Sequence, residues 1–263
     1  MEINGDEKLG LIEGIKYLIL NTYRNIMSAR PFSQTLLYNP KLSNPLVSAS
    51  PSRYIIEDYM QCEIFRDLES KNIDILEVGC GSGRMSQLLS YAGVSGNYTG
   101  IDIAEKFCSK SDKKLSVSFK NIGIHQYKEP SNYDLIFSIS ALEHIPHIQD
   151  AIDRMDDLLT DSGIQVHAIP SGWALALYLF HGHRQFPLGK IHSYFNTPNI
   201  TRVGGVFSFM VHFIFITLIE MVLKYNARKA WPNLYSSILK MGIEWDKYLP
   251  FMSAGYIIIT PKK

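Results

Sequence analysis

Between residues 71 and 170 the chain alternates short apolar runs with stretches in which apolar residues recur every three or four positions. Short apolar runs are typical of buried strands, and the longer spacing is typical of helices. Five strands are predicted, at 73–78, 98–103, 115–119, 133–139 and 164–169. Helices are predicted at 84–92, 104–110 and 148–159. This alternation predicts an α/β fold with a mostly parallel sheet covered by helices on both faces.

The flanking parts of the chain follow other patterns. Helical spacing at 7–29 and 53–70, on either side of a proline-rich loop, predicts an N-terminal helical extension. A long insertion follows the fifth strand and is predicted to be a helical cap on the substrate side. A β-rich run at 255–260 predicts a closing strand that completes a seven-stranded, Rossmann-like sheet. The predicted parts are the extension 1–70, the core 71–170, the cap 171–247 and the closing segment 248–263.

Candidate chemistry lies at the end of the first predicted strand. Glu77 precedes three glycines at alternate positions, Gly79, Gly81 and Gly83, with Cys80 between the first two. Glycines lack a Cβ, which suits a backbone that bends tightly or approaches a ligand closely. A carboxylate in an apolar strand needs a partner, because an unpaired buried charge is costly. The turn is therefore predicted to bind a ligand.

Asp102 ends the second predicted strand, and ligands of open parallel sheets bind at the carboxyl ends of strands. An acid there can accept hydrogen bonds from the ribose hydroxyls of a dinucleotide or of S-adenosylmethionine (SAM). A dinucleotide site uses G-x-G-x-x-G facing a pyrophosphate, which Glu77 would repel. SAM carries an amino group and a sulfonium and has no phosphate. The electrostatics therefore favour SAM, with Glu77 as the partner of its amino group.

Four segments make the sequence resemble the class I SAM-dependent methyltransferases, in their bacterial branch that modifies small molecules and glycans. They are LEVGCGSG at 76–83, GID at 100–102, YDLI at 133–136 and SISALEHI at 138–145. Their order and spacing are similar to the family pattern across about 73–170. The resemblance implies a Rossmann-like core with SAM as the cofactor and S-adenosylhomocysteine as the product.

The resemblance also implies roles for single residues. Gly79 and Gly81 would line the methionine part of SAM, and Asp102 would hold the ribose. Ile103 would pack on the adenine, with Asn121 and Ile122 at its edge, and Ser140 and Leu142 would border the methyl group. The implied cofactor-binding residues are Glu77, Gly79, Cys80, Gly81, Gly83, Asp102, Ile103, Asn121, Ile122, Ser140 and Leu142.

A general base assists methyl transfer to a hydroxyl, and histidine is the commonest one. His144, after the fourth strand, and His192, in the insertion, are the candidate catalytic bases. His167, in the fifth strand, is expected to be a core residue. His181 and His183 are two residues apart without a nearby acid or cysteine pair, so no metal is predicted.

Charge is distributed unevenly along the chain. Residues 1–161 carry 16 Lys+Arg and 22 Asp+Glu, whereas residues 162–263 carry 10 and 3. The basic segment 162–263 suits an anionic substrate or an anionic membrane surface. Alternatively, its charges are ordinary solvated side chains without a specific partner. Nucleic acid is an unlikely partner, since the basic residues are scattered and no amino-methylating Asn/Asp-Pro-Pro-Tyr/Phe motif follows the fourth strand. Three cysteines without zinc spacing, and no signal-peptide pattern, predict a cytoplasmic protein.

A nearly continuous apolar run covers 206–223 and is followed by three basic residues. Its eighteen residues reach the length of about 17–25 that a membrane span requires. His212 and Glu220 inside the run weigh against a span. A buried cap helix, a dimer face and a peripheral membrane contact through 206–229 remain open.

The predicted function is a SAM-dependent methyltransferase acting on a small-molecule or glycan acceptor, with oxygen as the expected methylated atom. A membrane-associated methyltransferase with a lipid-linked or quinone-type acceptor is one alternative. A non-catalytic SAM-binding interaction protein is the other. The acceptor and the oligomeric state are not defined by the sequence.

Overall fold

The computed structural model describes residues 2–30, 35–41, 49–108, 114–129 and 132–262. Eight strands form one sheet in the order β1-β7-β8-β6-β5-β2-β3-β4. The strands are β1 Leu36–Leu37, β2 Asn72–Val78, β3 Ser95–Asp102, β4 Leu115–Asn121, β5 Tyr133–Ile139, β6 Leu159–Pro170, β7 Asn199–Val203 and β8 Gly255–Pro261. The α/β, Rossmann-like architecture is confirmed. The sheet has eight strands rather than the predicted seven. The sequence located six of them and missed β1 and β7, which are too short to give a periodic signal.

The middle of the sheet is parallel. β2 pairs with β3 on one side and with β5 on the other, and β3–β4 and β5–β6 are parallel pairs as well. Ile75, Leu76 and Val78 are all buried, so β2 is covered on both faces. Strands of parallel sheets read as continuous apolar runs for this reason. The parallel arrangement brings the carboxyl ends of β2, β3 and β5 to one edge of the sheet.

β8 runs against the direction of β6. The Ser171 N–H donates to the Ala254 carbonyl at one end, and the Lys262 N–H donates to the Gly163 carbonyl at the other. The C-terminal end of β6 therefore lies beside the N-terminal end of β8, and the reverse holds at the other end, so the two strands are antiparallel. The sheet is mostly parallel, as predicted, with an antiparallel closing strand.

Nine α-helices cover the described chain: α1 Leu11–Met27, α2 Pro51–Tyr59, α3 Arg84–Tyr91, α4 Ile148–Asp157, α5 Ala174–Tyr178, α6 Leu188–Tyr194, α7 Val206–Val211, α8 Ala227–Ala230 and α9 Pro232–Trp245. Two continue as π-helix, α2 over Met60–Phe65 and α7 over His212–Val222. The prediction of a helix at 104–110 is wrong where it can be compared, since residues 104–108 are not helical and 109–110 lie outside the described residues. The predicted all-helical cap also contains a strand, β7.

The chain divides into two compact units. The first unit comprises Met1–Tyr59, Pro170–Lys190 and Ile200–Ile257, and the second comprises Met60–Ile169, Ile191–Asn199 and Ile258–Lys263. Most of the predicted core falls in the second unit, while helices α1, α5, α7 and α9 belong to the first. The domain boundaries at 70, 170 and 247 stay a prediction.

In the first unit, Asp246 at the end of α9 holds the start of α7. The Ser208 N–H donates to Asp246 Oδ1 (3.0 Å), so a carboxylate lies at the positive end of that helix. Burial raises the pKa of Asp246, and the hydrogen bonds from Ser208 and neighbouring backbone amides oppose that rise. The contact joins two helices that are separated by twenty residues in the chain.

Helix α1 in the first unit has an unusual polarity. Its buried residues are Gly14, Tyr17 and Asn21, and Leu18 and Leu20 are half-buried. Seven other large apolar side chains are 49–84% exposed: Leu11, Ile12, Ile15, Ile19, Tyr23, Ile26 and Met27. A surface helix normally places its apolar stripe against the core. The predicted helix at 7–29 is confirmed in type, but its apolar face is turned outwards.

The segment 206–223 is divided between core and surface. Phe209, Phe215 and Ile216 are buried, while Met210, Ile214, Leu218, Met221, Val222 and Leu223 are exposed. Glu220 is paired with Arg228 (2.7 Å). Within the described parts of the chain, no helix combines the length and the apolar character that crossing a bilayer requires.

Candidate functional site

The glycine turn after β2 requires glycines for two reasons. Gly79, Gly81 and Gly83 have φ of 75°, 53° and 77°, a left-handed region that side chains disfavour. A Cβ on Gly79 would also lie 2.4 Å from the Cβ of Ala141, in the loop after β5. A Cβ on Gly81 would meet no atom within 4 Å, so this residue borders open space. The sequence-predicted turn and the loop after β5 are thus in contact.

Asp102 at the end of β3 is bound directly to this turn. Its Oδ2 accepts from the Gly81 N–H (2.8 Å) and its Oδ1 accepts from the Ala104 N–H (2.8 Å). The Gly79 N–H donates to the Ile101 carbonyl next to it (2.8 Å). Each carboxylate oxygen has lone pairs beyond these bonds. The arrangement fixes a negative charge beside the open space at Gly81.

Glu77 is 3% exposed, and its Oε2 accepts a hydrogen bond from the phenol of Tyr98 in β3. Burial and the neighbouring Glu77 raise the pKa of Tyr98 well above its ordinary value. The phenol therefore stays protonated and acts as the donor. Sequence reasoning missed Tyr98; its position in a strand that pairs with β2 was the available signal.

Gly100 makes room for the side chain of Cys80. A Cβ on Gly100 would lie 2.9 Å from Cys80 Sγ and 2.8 Å from the ring of Phe119. Burial, with Glu77 and Asp102 nearby, raises the pKa of the Cys80 thiol. Cys80 is therefore an apolar packing residue of the turn and not a nucleophile.

The predicted adenine-side residues lie beside Asp102. Asn121 Nδ2 and the Ile122 N–H both donate to the Asp102 carbonyl, at 3.3 and 3.0 Å. Ile103 is 83% exposed, and a Cβ on Gly123 would lie 3.4 Å from it. The structure thus brings the ends of β3 and β4 together and leaves a large apolar side chain exposed there.

The loop after β5 carries Ser140, Leu142 and His144. Ser140 has a φ of 53°, which is uncommon for a residue with a side chain, and its N–H donates to the Ala168 carbonyl (2.9 Å). Leu142 is fully buried. The His144 side chain is 35% exposed, with Nε2 3.9 Å from the Glu143 carboxylate. His192, in α6, is exposed.

His167 is a core residue, as expected. It is fully buried in β6 between Ser138 Oγ (2.8 Å from Nδ1) and Gln165 Oε1 (2.9 Å from Nε2). Burial lowers the pKa of His167 to about 3. The imidazole is therefore neutral in the folded protein at any physiological pH.

Acid should destabilise the protein through His167. The unfolded imidazole takes up a proton below its ordinary pKa of 6.5 and the folded one does not, so the free energy of unfolding falls as pH falls from about 6.5 towards 3. We expect up to ~1.4 kcal/mol per pH unit from this residue. Urea unfolding at pH 7, 6 and 5 measures it. His167→Gln should have a shallower pH dependence, and the exposed-site control His192→Gln should match the wild type.

The first unit contains a cavity of about 550 Å³. Its walls are mostly apolar, with Leu18, Ile26, Trp173, Leu175, Leu179 and Tyr256 among the lining residues. Asn25 also lines it and donates from Nδ2 to the Gly172 carbonyl (3.1 Å). Its Oδ1 is buried and has no hydrogen-bond partner among the described residues. The cavity can therefore take an apolar molecule that carries a hydrogen-bond donor.

A family model described as a methyltransferase domain matches residues 76–164, which include the glycine turn, Asp102 and the loop after β5. Over these residues the chain is similar to methyltransferase domains. A SAM-dependent methyltransferase from Archaeoglobus fulgidus shares its fold with a TM-score of 0.51 at 17% identity, over 80% of this chain and 94% of that one.

Two curated relatives are similar to part of the chain. A ubiquinone biosynthesis O-methyltransferase of Pelagibacter ubique (strain HTCC1062) is 30% identical over 46% of this chain and 53% of its own. A trans-aconitate 2-methyltransferase of Escherichia coli O1:K1 / APEC is 23% identical over 51% of this chain and 58% of its own. The chain spans about half the length of these curated relatives.

Proposed function

We propose that the protein binds SAM at the glycine turn and transfers its methyl group to a small-molecule acceptor. The proposal rests on the Asp102 carboxylate, which accepts a hydrogen bond from the Gly81 N–H. Gly81 itself borders open space. The two acids suit SAM: the buried Glu77 carboxylate matches its ammonium group, and Asp102 matches its ribose. A pyrophosphate would meet two negative charges in the same place.

The residues of the turn bind and orient the cofactor, and the cofactor supplies the electrophilic methyl group. Asp102 accepts from the ribose hydroxyls with the lone pairs that Gly81 and Ala104 leave available. Gly79 and Gly81 let the backbone approach the methionine part. Glu77 is held by Tyr98 through one carboxylate oxygen, which fixes the charge that attracts the amino group. Ile103 offers an exposed apolar surface for the adenine.

We propose that the acceptor is a small molecule rather than a glycan. The names of the curated relatives, for a ubiquinone pathway and for trans-aconitate, support small-molecule acceptors and leave oxygen as the proposed methylated atom.

We propose His144 as the general base in preference to His192. His144 lies in the loop that contacts the glycine turn through Ala141, and the buried Glu143 carboxylate lies 3.9 Å from its ring. A carboxylate beside an imidazole stabilises the imidazolium that forms when the base takes a proton. His192 has the exposed position of a solvated side chain.

Calorimetry with SAM and S-adenosylhomocysteine tests cofactor binding, and we expect both to bind with a stoichiometry of one per chain. Failure of both to bind would reject the proposal. Methyl transfer from labelled SAM to alkyl-substituted phenols then tests catalysis; binding without transfer would indicate an interaction protein.

We expect His144→Gln to lower kcat about 10²–10⁴-fold with unchanged SAM affinity, and His192→Gln to leave kcat unchanged. The reverse result would exchange their roles.

A membrane-associated methyltransferase is the second candidate. Met210, Ile214, Leu218 and Met221 are exposed at helical spacing on 206–229, and the exposed Lys224 and Lys229 follow them. Apolar side chains next to cations suit an interface with anionic lipid. This contact would serve a lipid-linked or quinone-type acceptor. The contact is measured by comparing how much of the Ile214→Gln/Leu218→Gln variant and of the wild type binds to lipid vesicles. If the two bind equally, 206–229 makes no lipid contact.

A further inference from the structure

Helix α1 of the first unit is held in place by its polar face. The Tyr17 phenol donates to the His181 carbonyl (2.8 Å) and accepts from Gln185 Nε2 (3.2 Å). Just before the helix, the Gly5 N–H donates to the Gly182 carbonyl (2.7 Å). These bonds, together with Asn25 on Gly172, fix the rotation of α1 about its axis. The outward direction of its apolar face is therefore determined by specific contacts.

The exposed face of α1 is wide and apolar. At 100° per residue its seven large apolar side chains lie within an arc of about 160°. Lys16, also exposed, lies within the edge of this arc. Residues 11–30 contain three cations, Lys16, Arg24 and Arg30, and the single acid Glu13. A wide apolar arc with a lysine near its edge is typical of helices that lie in the plane of a bilayer surface.

The apolar surface extends beyond α1. Phe180, itself 43% exposed, packs on Gly14 and against the ring of Tyr17 (5.8 Å between centroids). Leu179 and Trp173, both exposed, line the cavity together with Ile26 of α1. Leu177 of α5 accepts from Thr217 (2.6 Å) in the segment with the exposed Ile214 and Leu218. One stretch, 173–180, thus connects the face of α1, the cavity and the apolar segment after α7.

We propose that the apolar face of α1 docks on the surface of a bilayer that contains anionic lipid. A second copy of the chain is a poorer occupant, because a standard protein interface uses about 20–30 residues from each partner, whereas the seven side chains of α1 with Trp173, Leu179 and Phe180 make ten. A coiled-coil seam is also narrower than this arc. The bilayer matches both the width of the face and the exposed Lys16 near its edge.

Docking has a consequence for the cavity of the first unit. Ile26 belongs both to the exposed face and to the cavity lining, so the cavity borders the docked surface. An apolar molecule dissolved in the bilayer would enter the cavity without crossing water. The lipid contact itself does not depend on any methyl transfer.

Co-sedimentation with vesicles of phosphatidylcholine and phosphatidylglycerol tests the docking. We expect Ile12→Gln/Ile19→Gln to lower the partition coefficient about tenfold or more, because two exposed apolar side chains leave the interface. Glutamine is a good helix former, so α1 should remain folded, which circular dichroism checks. The control is Tyr91→Ser in α3, another highly exposed apolar side chain, which should partition like the wild type.

The charge is tested separately by Lys16→Glu, for which we expect weaker binding to mixed vesicles and unchanged binding to pure phosphatidylcholine. Wild-type protein that stays in the supernatant, or a double variant that binds as the wild type does, would overturn the proposal. So would a wild-type dimer in light scattering that the double variant loses, because the face would then belong to a second copy. The partition coefficient of Ile214→Gln/Leu218→Gln, measured on the same vesicles, reports separately on the lipid contact proposed through 206–229. Calorimetry with SAM on the same variants keeps a failure of the proposed function apart from a failure of docking.

Discussion

Asp102→Ala is expected to weaken SAM binding about 100-fold or more, a loss of at least ~2.7 kcal/mol. Without the carboxylate, the ribose hydroxyls of SAM would lose their hydrogen-bond acceptor. The Gly81 and Ala104 N–H groups would lose the oxygens to which they donate at 2.8 Å. The substitution therefore removes a ligand contact and loosens the turn that forms the site. Calorimetry with SAM and S-adenosylhomocysteine measures the change.

Glu105→Ala is the matched control for Asp102→Ala. Glu105 is an exposed acid three residues further along the same loop, so its removal changes the net charge equally. We expect its SAM affinity to stay within about twofold of the wild type, because exposed substitutions away from specific contacts change little. Asp102→Asn should fall between the two, since it keeps one oxygen acceptor. If Asp102→Ala bound SAM as tightly as Glu105→Ala does, the ribose role would be wrong.

Gly79→Ala is expected to lower the free energy of unfolding by about 2–4 kcal/mol. A positive φ costs a residue with a Cβ about 1 kcal/mol, and a Cβ 2.4 Å from the Ala141 Cβ forces a further shift of the packing. Gly81→Ala carries the backbone cost alone, because its Cβ would meet no atom within 4 Å. Urea unfolding of the two variants separates the two effects.

The double variant Gly79→Ala/Ala141→Gly tests the cause. It removes the atom that the new Cβ meets, and the next Ala141 atom is 3.7 Å away, so we expect part of the lost stability to return. An Ala141→Gly variant alone provides the reference for the cycle. Gly81→Ala should keep most of its stability and lose SAM affinity, since its methyl group would occupy the open space beside Asp102. Equal destabilisation by Gly79→Ala and Gly81→Ala would contradict the proposed clash.

The middle of the sheet was predictable because its strands are buried on both faces. The predicted strand at 133–139 coincides with β5, and the strand at 73–78 differs from β2 by one residue. Short, mostly apolar runs of this kind are typical of strands that are buried on both faces. β7 was missed because five residues in a region rich in His, Gly and Pro give no periodic signal. The helix predicted from 104 onwards was wrong, and Asp102 holds Ala104 in a non-helical turn instead.

The candidate site was predictable in its backbone and less so in its side-chain partners. Glycine spacing and an acid at a strand end are local features, and the structure brings Gly81 and Asp102 into direct contact. Tyr98 escaped notice because its bond to Glu77 depends on the register between two strands. The direction of the α1 face depends on a contact between Tyr17 and His181, 164 residues apart. Sequence periodicity locates an apolar face and does not say what covers it.

The high pKa of the Cys80 thiol has a consequence for the chemical durability of the turn. Oxidants and alkylating reagents act on thiolates, and burial between two carboxylates keeps this sulfur protonated. Oxidative damage should therefore reach the exposed Cys108 long before it reaches Cys80. The N–H of Cys108 donates to the Ser82 carbonyl in the glycine turn (3.2 Å). A thiol-directed label on Cys108 would therefore be attached to a residue that contacts the turn, while Cys80 inside the turn stays unmodified.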